Sequence, residues 1–117
     1  MFDFEKLEVY QVVKEQNINV LKFIISSKSI DPYFLDQWKR ASISILTNLA
    51  EGTGRMTPTD KKHFLTIARG SVFESVAILD ILKGLELIAP EKYEEFYQKY
   101  EQISKMLLGM YRSYSGV

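Results

Sequence analysis

The sequence predicts an all-α fold, an antiparallel up-down-up-down four-helix bundle formed by residues 1–117 as one domain. Three observations predict it. Apolar residues recur at three- and four-residue steps in four successive segments, the spacing of one helix face. The only three prolines, Pro32, Pro58 and Pro90, fall at segment boundaries and divide the chain almost evenly. No Asn-Gly or Asp-Gly signal and no sustained apolar–polar alternation marks a strand.

The first segment runs from about Phe4 to Ile25, with Tyr10, Val13, Val20, Leu21 and Ile24 on one face. Asn17 and Asn19 weaken its middle, because asparagine is a poor helix former. Asp31-Pro32 then reads as a cap followed by a first-turn proline. The second segment, about Tyr33 to Glu51, carries the stripe Leu35, Trp38, Ala41, Ile45 and Leu49, widened by Ile43, Leu46 and Ala50. A face that broad is expected to pack on more than one neighbour, and Gly52 reads as its C-terminal stop.

The third segment starts at Thr57-Pro58-Thr59-Asp60, where Thr57 caps, Pro58 opens the helix and Asp60 complements the helix dipole. Its stripe continues through Phe64, Ala68, Ser71, Val72, Leu79 and Leu82 to about Leu87. The fourth begins at Pro90. Tyr93, Phe96, Tyr100, Ile103, Leu107, Met110 and Tyr114 alternate steps of three and four, a heptad seam. Four such helices with short connections form a bundle.

Composition narrows the function. Hydrophobic residues are 46% of the chain, enough for a core. Lys plus Arg and Asp plus Glu are both 15, so no basic excess marks a general polyanion binder. Cysteine is absent, which removes disulfides, thiolate nucleophiles and thiolate metal sites and suits a reducing cytoplasm. The opening MFDFEKLEVY has no uninterrupted apolar run, so no leader is read there. No apolar run approaches the roughly 20 residues of a membrane span. The expected location is cytoplasmic, with no membrane partner.

The chemical candidates are sparse. Gly52-Thr53-Gly54-Arg55 lacks the spacing, the lysine and the preceding strand of a phosphate loop, so it reads as a turn between capped helices. His63 is the lone histidine. With Asp60 and Glu51 it falls short of the paired Glu-x-x-His motifs of di-iron bundles. Glu51, Glu74 and Asp80 are the acids at apolar-face positions, yet spacing assembles no nucleophile–base pair. No catalytic residue, metal site or cofactor is predicted.

Three other features carry more. Ala68, Gly70 and Ser71 place small residues in mid-helix, opposite about Arg40-Ala41-Ser42, and predict close packing of the second and third helices. Lys39, Arg40, Arg55, Lys61, Lys62 and Arg69 form a local basic cluster against two acids, Glu51 and Asp60. Arg40, Arg55, Lys61, Lys62 and Arg69 are thus the candidate contacts to RNA or DNA phosphates. Tyr97 and Tyr111 lie off the fourth seam on one line and are candidate residues of an oligomer interface.

The stretches Ala41-Ser42-Ile43-Ser44-Ile45, Asn48-Leu49-Ala50-Glu51-Gly52, Arg55, Phe64-Leu65-Thr66-Ile67-Ala68-Arg69-Gly70-Ser71 and Glu74 resemble those of a bacterial four-helix-bundle family. Its members are called intervening-sequence proteins, after insertions in large-subunit ribosomal RNA genes, and have also been labelled ribosomal-protein-like. The match is dense from Arg40 to Glu74 and weak in the fourth segment. Leu46 stands where the family commonly has proline.

The resemblance implies a ring-shaped homopentamer of four-helix bundles. It also implies kinship with the accessory protein of diversity-generating retroelements, a basic pentamer that binds nucleic acid. It implies no established activity. Its motif positions here are Asn48, Glu51, Gly52, Arg55, Ala68, Gly70, Ser71 and Glu74. Of these, Asn48, Glu51 and Arg55 are expected to tie the end of the second helix to the third helix or to the next subunit. The function expected is therefore a non-enzymatic, self-assembling scaffold or binding protein. The alternative is a nucleic-acid-binding accessory factor using the basic cluster.

Overall fold

A computed structural model describes residues 1–116. A 3₁₀ turn (Asp3–Lys6) leads into α1 (Glu8–Ser26), α2 (Pro32–Thr53), α3 (Pro58–Gly84) and α4 (Pro90–Ser113), and the described residues contain no strand.

Helix starts follow the local chemistry read from the sequence. The Asp31 carboxylate accepts the Tyr33 N–H at 2.8 Å, ahead of Pro32. Thr57 Oγ1 accepts the Asp60 N–H at 3.1 Å, ahead of Pro58. Each cap satisfies a donor that the helix itself leaves free.

Several boundaries differ from the expectation. The first segment is not continuous from Phe4, because Leu7 is extended (φ −80°, ψ 131°) and separates the 3₁₀ turn from α1. Gly52 does not stop α2; the helix continues to Thr53 and Gly54 caps it. α3 ends at Gly84, three residues short of Leu87. There Leu87 N–H reaches Leu82 O at 2.9 Å and Glu86 N–H reaches Lys83 O at 3.0 Å. Those two bonds form a Schellman closure, with Glu86 in the left-handed conformation at φ 58°.

Neighbouring helices run antiparallel. Between α2 and α3 the contacts Thr53–Lys61 and Ser44–Ser71 step in opposite directions. Between α3 and α4, Arg69–Ser104 and Asp80–Tyr93 do the same. α1 packs on α2 and α4; α1 and α3 stand on a diagonal and do not meet. The core is filled by Trp38, Ile45, Leu49, Leu79, Phe96 and Tyr100, all fully buried. Phe23, Trp38 and Phe96 meet edge to face with centroids 5.6–5.8 Å apart, a favoured aromatic geometry. The seam predicted in α4 is buried from Tyr93 to Leu107, while Met110 and Tyr114 are half-buried at its end.

Candidate functional site

Residues of α2 and α3 that carry the resemblance meet across the hairpin at Ser44 and Ser71. Ser71 Oγ lies 2.8 Å from Ser44 Oγ. Asn48 Nδ2 donates to Ser44 O at 2.9 Å and to Ser44 Oγ at 3.0 Å. One turn further on, Gly52 is buried against Phe64; a Cβ at Gly52 would stand 3.0 Å from Phe64 Cβ. Gly52 therefore permits the close approach of α2 to α3. Arg55 pairs with Glu51 at 2.7 Å and lies over the Phe64 ring at 4.4 Å from its centroid. Lys61 Nζ donates to Thr53 O at 3.0 Å across the turn. Ser44–Ser71, Gly52–Phe64, Arg55–Phe64 and Thr53–Lys61 join α2 to α3 within one chain. Of the three residues expected to make that tie only Arg55 reaches α3; Asn48 bonds Ser44 one turn back on its own helix, and Glu51 bonds Arg55.

Gly70 behaves in the opposite way. It was expected to bring α2 close, but it faces solvent, and a Cβ there would meet nothing within 4 Å. The contact with α2 is made instead by Ser71, which meets Ser44 rather than the expected Arg40–Ser42 level, while Ala68 is fully buried in the core. The 3.6-residue turn puts position 70 on the far side of α3 from position 68.

A buried polar layer spans the bundle at mid-height. Trp38 Nε1 donates to Tyr100 OH at 2.9 Å, and Ser42 Oγ lies 3.5 Å from the same oxygen. Asn17 Nδ2 donates to Ser42 O at 2.6 Å, and Ser75 Oγ donates to Ser71 O at 2.9 Å. Asn17 Oδ1 has no partner among the described residues. Burial raises the Tyr100 pKa, with the hydrogen bonds from Ser42 and Trp38 opposing the shift. The periodicity of α4 marks Tyr100 only as a seam residue. Its phenol, which must find a partner when buried, is the signal that points to Trp38 and Ser42.

The basic residues do not form one patch. Arg40 pairs with Asp36 at 3.2 Å, and Arg55 with Glu51. Arg40 stands about 20 Å along α2 from its end at Thr53, beyond which Arg55 lies, at 1.5 Å per residue. The other three lie along the α3–α4 side, each over an aromatic ring: Lys61 over Tyr114 at 5.7 Å, Lys62 over Tyr111 at 5.3 Å and Arg69 over Phe73 at 4.9 Å. Arg69 Nε also donates to Ser104 O at 3.3 Å.

The candidate acids do not converge. Glu51 is engaged by Arg55, Glu74 is exposed in the middle of α3, and Asp80 accepts from Tyr93 OH at 3.3 Å. Burial, then the Asp80 charge, raises the Tyr93 pKa. His63 is exposed, edge-on to Phe64. No group of three His, Asp or Glu among the described residues is placed to hold a metal ion. No helix among them is long and apolar enough to cross a membrane.

Tyr97 and Tyr111 are half-buried. They line two adjoining hollows of about 330 and 310 Å³ between α3 and α4, which share Arg69 and Phe73. Beside these hollows the solvent face of α3 is largely apolar: Phe73 is 56% exposed, Ile81 46% and Ile67 38%. Between Thr66 and Ala77 the exposed residues of α3 include a single charge, Glu74.

A family model for the 23S rRNA-intervening sequence protein matches residues 5–109. The chain belongs to that family. Among solved structures, the intervening-sequence chain is similar to a protein with unknown function from the S23 ribosomal protein family of Bacteroides thetaiotaomicron VPI-5482. The TM-score is 0.81 at 22% identity, covering 88% of this chain and 97% of that one. At that identity the likeness establishes the shared fold. No curated protein matches the chain.

Proposed function

We propose that this intervening-sequence protein is a non-enzymatic, self-assembling helical scaffold of the cytoplasm, and that its assembly is a ring-shaped homo-oligomer, five-fold as the family resemblance implies. The observation that carries the reading is the solvent face of α3. Phe73, Ile67 and Ile81 are exposed there, and Gly70 sits among them with open space above it. A mid-helix glycine costs roughly 1 kcal/mol relative to alanine. Gly52, in the last turn of α2, admits Phe64, whereas Gly70 carries the mid-helix cost with no such contact within the chain. Close approach by another chain accounts for it. A net charge of zero leaves no long-range repulsion between copies. Sedimentation equilibrium at micromolar concentration tests the reading: a mass several times the 13.6 kDa chain supports it, and a single-chain mass overturns it.

A second reading, nucleic-acid binding, is favoured by one observation. Lys62 over Tyr111 and Arg69 over Phe73 set cations among aromatics along the α3–α4 groove, the pairing that single strands use for backbone and base contacts. A gel-shift titration with single-stranded RNA and DNA decides it. A retarded band that weakens with salt and with Lys62→Ala supports this reading; no band at low salt removes it.

A further inference from the structure

We propose that the outer face of α3 docks on the outer face of α1 of a second copy of this chain, in a head-to-tail contact centred on Glu74. The inference rests on the self-assembly reading and adds which surfaces meet.

Two uncovered faces stand on opposite sides of the bundle, because α1 and α3 occupy its diagonal. The α3 face has been described. The α1 face carries Ile18 and Ile25, 43% and 78% exposed, with Lys14 and Lys22 exposed between and beside them. Glu15 is exposed at its edge, and Gln11, Lys14, Glu15 and Ile18 line a hollow of about 240 Å³. Neither Lys14, Lys22 nor Glu74 forms an ion pair among the described residues. The α3 face is therefore largely apolar about one carboxylate without an ion pair, and the α1 face sets two isoleucines beside two such ammonium groups, with the Glu15 carboxylate at its edge.

The heights of these groups also agree. Asn17 meets Ser42, and Ser44 meets Ser71 on the antiparallel neighbour. Ser42 therefore stands level with about Phe73, and so does Asn17. α1 and α3 run in the same direction, so Ile18 is level with Glu74 and Ile25 with Ile81. Lys14 and Lys22 then lie one turn either side of Glu74, about 6 Å along the axis. In a cyclic assembly whose axis follows the bundles, every copy keeps the same height. The α3 face of one copy thus meets the α1 face of the next with Glu74 between two lysines and isoleucine level with isoleucine. Two different surfaces make a heterologous contact, which closes into a ring where the two faces are inclined to each other rather than strictly opposed.

Charge exchange tests this pairing. Glu74→Lys sets like charges together and is expected to raise the dissociation constant at least about tenfold, because like-charge juxtaposition costs several kcal/mol. Adding Lys14→Glu and Lys22→Glu to the same chain is expected to restore the oligomer. All three positions are exposed, and far-UV circular dichroism checks that each variant stays helical. Disulfide trapping gives the independent readout, since the chain has no cysteine. Ile18→Cys and Glu74→Cys proteins are expected to form a cross-linked dimer only when mixed. Cross-linking of Glu74→Cys alone would mean that α3 packs on α3 and would overturn the pairing. So would an oligomer of unchanged mass in Glu74→Lys. A monomeric wild-type chain would instead overturn the scaffold reading itself.

Discussion

Gly52, in the last turn of α2, and Gly70, in the middle of α3, have opposite surroundings. Gly52 is packed so tightly that a Cβ would touch Phe64 Cβ at 3.0 Å; at Gly70 a Cβ would touch nothing. The inner side of the α2–α3 hairpin is thus explained by contacts within the chain: Asn48 to Ser44, Ser44 to Ser71, Arg55 over Phe64. The outer side of α3 has no such explanation. A mid-helix glycine whose cost is not offset inside its own chain directs attention to another chain.

The comparison breaks most readily at Gly52. Gly52→Val forces a branched side chain against Phe64 and is expected to cost about 2 kcal/mol or more, as overpacking does. Equilibrium urea unfolding reads it; an unchanged midpoint would show that α2 and α3 have room to part. By contrast, Gly70→Ala is expected to stabilise the isolated chain by up to about 1 kcal/mol, the helix-propensity gain without a clash.

Next in size is the buried polar layer. Tyr100→Phe leaves the Trp38 Nε1–H without its acceptor and is expected to cost about 1–2 kcal/mol. It also tests the titration. In the folded chain the Tyr100 pKa is raised above its ordinary value. As pH climbs past about 10, the unfolded chain releases a proton that the folded chain keeps. Stability from this group is therefore full below that pH and falls as pH rises towards the folded pKa. Unfolding curves at rising pH are expected to show this loss in the wild type, with the Tyr100 component absent in Tyr100→Phe.

Arg55→Ala is expected to have a small effect, below about 1 kcal/mol, because its ion pair with Glu51 is solvent-exposed. What it loses is chiefly the stacking on Phe64. A thermal shift larger than that of Gly52→Val would reverse the ranking of the two contacts.

Helix number and the starts of α2, α3 and α4 were legible because both are local. The 3.6-residue repeat and the Asp31-Pro32 and Thr57-Pro58 caps lie within a few residues of what they specify. The remainder depended on distant partners. Asn17 reads as a weak helix former until Ser42, 25 residues away, accepts its amide N–H. Ser44 and Ser71 are motif letters until they touch across 27 residues. By propensity Gly52 reads as a helix stop and Gly70 as a mid-helix small residue; which of them meets the neighbouring helix depends on the phase of α2 and α3 against each other. The end of α3 was placed late because its left-handed closing residue is Glu86, where glycine is the usual choice.

The most direct test of the account is the solution mass of Gly70→Arg. The position is open within the chain, so the bundle accepts the side chain, while a docked neighbour does not. The account predicts an intact helical spectrum with the mass reduced to the 13.6 kDa chain. An oligomer of wild-type mass would contradict it.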